Sequence, residues 1–384
     1  MVKWPNKLGI IFIITLLIIS LNNIQALDKK KEYVMTSSIY TENIFYVGGF
    51  GLNNYSKIQD AIDNATDGDT IFVFDDSSPY YENLILDKQI KLIGENQNST
   101  VIYGNGIGDV VKVYSDMTTI SGFSIKNNGN EPMVDALIKV FSNENKIIGN
   151  IISHSANYTV GIYINKSSNN FIANNTIFEN GNEGIFIEDS SYNKIENNEI
   201  YDNVHCAIVL SNSSYNLIIN NEMYGNHATI SLWPYSTYNE IAENNIYNHE
   251  WDGMGIWEES NYNNIHDNNF IDNGYWGIKV TSAKGNIFYH NNISDSDVGF
   301  HLKNSFFNKI KCNNFIRSNC HASFENSSFN RWINNYWDNH LRFLPKRIDG
   351  TICFPWNNSI YITWINFDFR PAKTPHIIGV YDEK

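Results

Sequence analysis

Two tryptophans carry the first sign of chemistry in this sequence. Trp233 ends the run Ile230-Ser231-Leu232-Trp233, and Trp257 ends Met254-Gly255-Ile256-Trp257, 24 residues later. Trp251, Trp276, Tyr235 and Tyr275 flank the same stretches, and the acids Glu250, Asp252, Glu258, Glu259 and Asp272 lie among them. Exposed aromatic rings offer flat apolar faces with polar rims, the surface on which a sugar ring docks. Trp233, Trp257, Trp251, Trp276, Tyr235 and Glu259 are therefore candidate carbohydrate-binding residues. Asp252, Glu258 and Asp272 are candidate catalytic carboxylates. Glycoside hydrolysis needs two carboxylates about 5–5.5 Å or 6.5–9.5 Å apart across the bond, and Asp252 with Glu258, or either with Asp272, could meet that. The opposing expectations are that the rings pack under a loop or the C-terminal segment, and that the acids form a solvated face.

A second constellation is His205, His227 and His249, spaced 22 and 22 residues apart, with Cys206 beside the first. Imidazole suits copper and zinc, so the three form a candidate metal set. Against it, His249 falls where Asn180, Asn203, Asn226 and Asn273 fall, so it can equally replace an asparagine in a repeat.

Both constellations depend on a repeat to bring their members together. Asn145, Asn170, Asn193, Asn216, Asn239, Asn263, Asn286, Asn308 and Asn330 each open the pattern Asn-x-apolar-x-x-Asn-x-apolar, in steps of 25, 23, 23, 23, 24, 23, 22 and 22 residues. A period held this tightly marks stacked repeats. Within each copy the apolar residues alternate: Ile195 and Ile200, then Ile208 and Leu210. That is strand spacing, and the runs are short and separated by Asn, Gly and Ser, which suit bends. One coil cannot bury its apolar residues alone. Coils stacked about 4.8 Å apart can, and the asparagines then form ladders whose amides bond the coils above and below.

Ahead of the repeat, Ser56 and Gln59 form a capping box, and Ile58, Ala61, Ile62 and Ala65 follow at helical spacing. A short amphipathic helix over about 56–65 is expected to cover the open apolar end of the first coil. Strands are expected at 70–74, 84–86 and 90–93. The runs Tyr55-Ser56-Lys57-Ile58-Gln59-Asp60-Ala61-Ile62, Asp67-Gly68-Asp69-Thr70-Ile71 and Ile90-Lys91-Leu92-Ile93-Gly94 resemble the start of right-handed parallel β-helix proteins of the pectate-lyase-like superfamily. The asparagine coils resemble the β-helix of the periplasmic copper-binding NosD family and its surface relatives. The resemblance covers roughly residues 45–340. It implies the handedness, and either a carbohydrate-binding or sugar-cleaving module or a copper-site accessory role, with copper as the possible cofactor.

The expected architecture is therefore all-β: a single-stranded right-handed parallel β-helix over 45–337, with the capping helix at its start and a C-terminal cap over 338–384. In that cap Trp356 and Trp364 are expected in a core. Residues 1–26 read as a signal peptide or anchor, since Lys3 and Lys7 precede an apolar run from Leu8 to Leu21 and Ala26 offers a cleavage site. A linker over 27–44 joins this segment to the coils.

The net charge of −14, with no basic stripe, argues against a nucleic-acid partner. The expected partner is a polysaccharide or glycan met by a monomer at the cell surface, in the periplasm or outside the cell, with membrane contact only through the N-terminal segment. A structural or adhesive rod is the alternative that needs no pocket. One disulfide is expected among Cys312, Cys320 and Cys353, with Cys206 unpaired.

Overall fold

The computed structural model describes residues 42–341, 344–354 and 357–378. The leader, nearly all of the linker and Trp356 lie outside the described residues. The described chain winds as a parallel β-helix of three faces. One coil shows the pattern: Cys206–Ser211 lies on the first face, Leu217–Ile219 on the second and Glu222–Tyr224 on the third. The third face is a sheet of 12 strands. The other two faces, 26 strands together, are joined through the C-terminal hairpin.

Register comes from alternation. Ile195, Ile218 and Ile241 pair directly coil to coil and are fully buried, because a shift of one residue would turn every apolar side chain outward. The bends between faces are made by left-handed residues, but these are not the ladder asparagines. The residue before each one takes that conformation: Tyr215 (φ 58°) precedes Asn216, and Asn220 (φ 56°) precedes Asn221. The ladder amides are thereby left free to bond along the axis.

Along most of the two long ladders, each asparagine oxygen accepts two hydrogen bonds from the coil before. Asn221 Oδ1 accepts from Asn198 N at 2.9 Å and Nδ2 at 3.0 Å, and Asn221 Nδ2 donates to Asn244 Oδ1, Ile195 O and Ile219 O, each at 3.0 Å. A third asparagine ladder runs through Asn180, Asn203 and Asn226. Serines make a further ladder through Ser167, Ser190, Ser213, Ser236 and Ser260.

Both ends are closed. The helix Ile58–Asn64 turns Ile58, Ala61 and Ile62 onto the first coils, all three fully buried. Its expected capping box does not form: the N-cap is Lys57 and makes no side-chain cap bond. Glu82 takes over from the next coil, its two oxygens accepting from Ile58 N at 2.8 Å and Gln59 N at 3.0 Å. A carboxylate there also meets the positive end of the helix dipole.

At the other end Lys346–Phe354 and Asn357–Asp368 form an antiparallel hairpin that continues the first and second faces. Asp368, fully buried, ends the second ladder by accepting from Asn335 N at 2.8 Å and Nδ2 at 3.0 Å. Trp364 departs from expectation and is 48% exposed on this hairpin. The expected disulfide is absent too, since Cys312 and Cys320 are free thiols. Cys320 lies in a first-face strand and Cys312 at the bend between the second and third faces, so the winding separates them.

Candidate functional site

The site lies on the outer side of the first face, on four successive strands: Cys206–Ser211, Ala228–Leu232, Asp252–Ile256 and Trp276–Thr281. Pairing aligns Val209, Ser231, Gly255 and Lys279 in one outward row, and places Asp252 beside Trp276 in another. Ala228, Ser231 and Gly255 are small, so the middle of the face is a trough. The trough is a groove of about 330 Å³ walled by Trp233, Trp251, Trp257 and Trp276. Gly255 has a steric role: a Cβ there would meet Trp257 Nε1 at 2.6 Å, so the indole can lie over this strand only where a side chain is missing.

The walls differ in rigidity. Trp233 turns back along the axis to pack edge-on against Phe186, ring centroids 5.8 Å apart, beside a buried outward cluster that includes Tyr163 and Val209. Trp257 is engaged in the other direction, under the Lys279 ammonium at 4.9 Å from its ring centroid. Trp233 and Trp257 are therefore two walls of the groove, each held by its own partner. Trp251 is 48% exposed, and Trp276 packs edge-on against Tyr275 at 4.2 Å.

Asp252 is the carboxylate of the groove. It is 9% exposed, and its Oδ1 has no hydrogen-bond partner. Burial pushes its carboxyl up to about 6, although Lys279 and His227 pull the other way. This oxygen is closed off from solvent as well as unpartnered, which is the environment that disfavours the charged carboxylate. The other two candidate acids do not join it. Glu258 is exposed past the end of the Asp252–Ile256 strand, and Asp272 is exposed at a left-handed bend after Asn269–Ile271. Tyr235, 62% exposed, and Glu259 sit likewise at left-handed bends outside the groove. Glu259 accepts from Asn261 Nδ2.

The three histidines separate as well. His205 and His227 line the groove with ring centroids 6.1 Å apart. Each has Nδ1 held by a carboxylate at 2.9 Å, Glu183 for His205 and Glu250 for His227. Cys206 and Glu183 hold the His205 imidazolium above the usual histidine range. His249 is instead in the core, 3% exposed, both ring nitrogens facing backbone oxygens: Asn226 O at 3.2 Å and Met223 O at 3.1 Å. It occupies the third ladder between Asn226 and Asn273 because its position repeats theirs. Among the described residues no three His, Cys, Asp or Glu side chains are arranged to hold a metal ion. The donors therefore do not fit the copper site that the resemblance implies.

Lys279 is a groove residue that motif and spacing alone do not single out. Only extending the outward row one coil beyond Gly255 leads to it.

Three solved structures share the winding. The A-module of the mannuronan C-5 epimerase AlgE6 of Azotobacter vinelandii is similar at a TM-score of 0.57 and 14% identity, over 72% of this chain and 87% of that one. DFA-IIIase of Arthrobacter chlorophenolicus A6 gives 0.57 and 14%, over 78% and 95%. The Dettilon tailspike protein gives 0.54 and 12%, over 85% and 76%. At these identities the likeness is one of fold. No curated protein matches the sequence. The family described as periplasmic copper-binding protein (NosD) matches residues 62–254 and 248–342, which together span most of the chain. The chain belongs to the NosD family, built as a right-handed parallel β-helix.

Proposed function

We propose that this protein is an exported glycan-binding β-helix whose first-face groove takes a sugar ring against the tryptophan walls, with Asp252 accepting a sugar hydroxyl. The observation that carries this reading is one groove lined by four indoles and the Asp252 carboxylate. Indoles supply apolar faces for the C–H side of a pyranose, and Asp252 supplies the orienting polar contact. The reading is binding and not two-carboxylate hydrolysis, because Asp252 has no second groove carboxylate free to act with it: Glu258 and Asp272 lie elsewhere. Two fold neighbours, a mannuronan epimerase and a DFA-IIIase in complex with GF2, accord with a sugar ligand.

The test is retention on a panel of immobilised polysaccharides, with reducing-sugar and unsaturated-product assays run alongside. Trp251→Ala with Trp257→Ala is expected to abolish retention while the thermal midpoint stays near wild type. Undiminished retention by this double variant would reject the groove, and released product would replace binding by cleavage.

A further inference from the structure

The groove holds a lysine with no carboxylate in ion-pair contact among the described residues, its charge offset only in part by the field of Asp252. Lys303, on the next strand of the same face, is paired with Glu325. Lys279 forms no such pair among the described residues. Its ammonium lies 3.5 Å from the Trp276 ring centroid and 4.9 Å from that of Trp257. It is half-buried, and burial lowers its pKa. Cation–π contact offsets part of that desolvation, yet an ammonium has three donors and indole faces satisfy none of them as an oxygen would.

The second polar group of the groove is the Asp252 carboxylate, on the preceding coil. A ligand that meets both side chains must bring an anionic group for Lys279, a hydroxyl for the Asp252 carboxylate and a flat apolar face for the indoles. In a chain of net charge −14, the bulk field would repel such a ligand, so a local cation has to supply the attraction.

We propose that the groove selects an acidic glycan, one whose sugar ring bears a carboxylate or sulfate, with the anion on Lys279 and a ring hydroxyl on Asp252. This selectivity rests on the glycan-binding function and adds the charge of the sugar to it. Lys279 gives it through a charge-assisted contact in a partly dry site, where such contacts are stronger than at an open surface.

The experiment is calorimetric titration of the full chain at low and at raised salt. The ligands are a short oligogalacturonate, its carboxyl-reduced neutral counterpart, and a sulfated neutral oligosaccharide. The expected result is about tenfold tighter binding of at least one anionic ligand than of the neutral one, shrinking as salt rises. Whichever anion binds better identifies the group. Lys279→Gln is expected to bring the acidic and neutral affinities to within about twofold of each other, while Lys279→Arg keeps the preference. Should Lys279→Gln fail to fold, the salt-dependent ratio for the wild type decides by itself. Equal affinity for acidic and neutral ligands, or a preference that survives Lys279→Gln, overturns the selectivity and leaves glycan binding standing. Binding to none of them, with no retention on the polysaccharide panel, overturns both.

Discussion

Asp252 pairs in register with Trp276 of the next coil, so a buried carboxylate and an indole are neighbours although 24 residues separate them. The rise of the carboxyl to about 6 is a consequence of that placement, because the surroundings disfavour its charged form. The sign is specific. An acid whose folded value lies above its unfolded one stabilises the fold fully below the unfolded value, near 3.8, and loses that contribution as pH rises through about 6. Asp252→Asn is therefore expected to gain stability over wild type between pH 4 and pH 7, by roughly 1–3 kcal/mol. Urea titrations at the two pH values measure it, and a difference that does not change with pH would contradict the assignment.

His249 gives the opposite window. Burial lowers its imidazole to about 4 from an ordinary 6.5. Its contribution is fully present above 6.5 and lost as pH falls through about 4, when the buried ring must charge. His249→Asn restores the ladder residue and removes the titration. The variant should lose roughly 2–3 kcal/mol less than wild type between pH 7 and pH 4. Parallel acid-unfolding curves for the two proteins would refute this.

The ladder itself is tested at Asn221. Its five side-chain hydrogen bonds leave partners orphaned inside the core if the amide is removed. Asn221→Leu is expected to cost about 3 kcal/mol, against a cost of about 1–3 kcal/mol per unsatisfied buried group. Asn105 is exposed, and Asn105→Leu should stay within about 0.5 kcal/mol of wild type. Chemical denaturation of both variants makes the comparison, and equal midpoints would deny the ladder its role.

Trp233 and Trp251 should separate stability from binding. Trp233 packs on Phe186 and the outward cluster, so Trp233→Ala should cost about 2 kcal/mol, less than a fully buried aromatic. Trp251 is nearly half exposed, and Trp251→Ala should cost under about 0.5 kcal/mol. Thermal melts read both costs, and the reverse order would mean the walls are assigned the wrong way round.

Glu82 tests the helix cap supplied from outside the helix. Glu82→Ala removes both acceptors from Ile58 N and Gln59 N and should cost about 1–2 kcal/mol. Hydrogen exchange at these two amides should rise before the coils open. Unchanged protection there would show that the cap carries nothing.

Much of the fold is legible in the chain because its information is local and repeated. Asn193, Ile195, Asn198 and Ile200 specify one coil, and the recurrence of that spacing specifies the stack. The Trp233–Trp257 separation of one coil likewise puts both residues on one face. The capping box is not legible in the same way: Ser56 and Gln59 match a local pattern, while Glu82 reaches the helix from a different coil. Glu258 and Asp272 group with Asp252 in the sequence but not in space, because closeness along the chain does not say which side of a bend a side chain occupies.

By itself the sequence determined the β-helix, its coil length, its asparagine ladders and the neighbourhood of the tryptophans, since period and alternation are properties of the chain alone. Only the tertiary structure decided which side chains share the groove. It turned His249 inward, set Trp233 against Phe186, opened a trough over Ala228, Ser231 and Gly255, and brought Lys279 into the groove with Asp252. The physical reason is that these outcomes depend on which partner lies one coil above or below and on the space left there, and neither is defined until the coils are stacked.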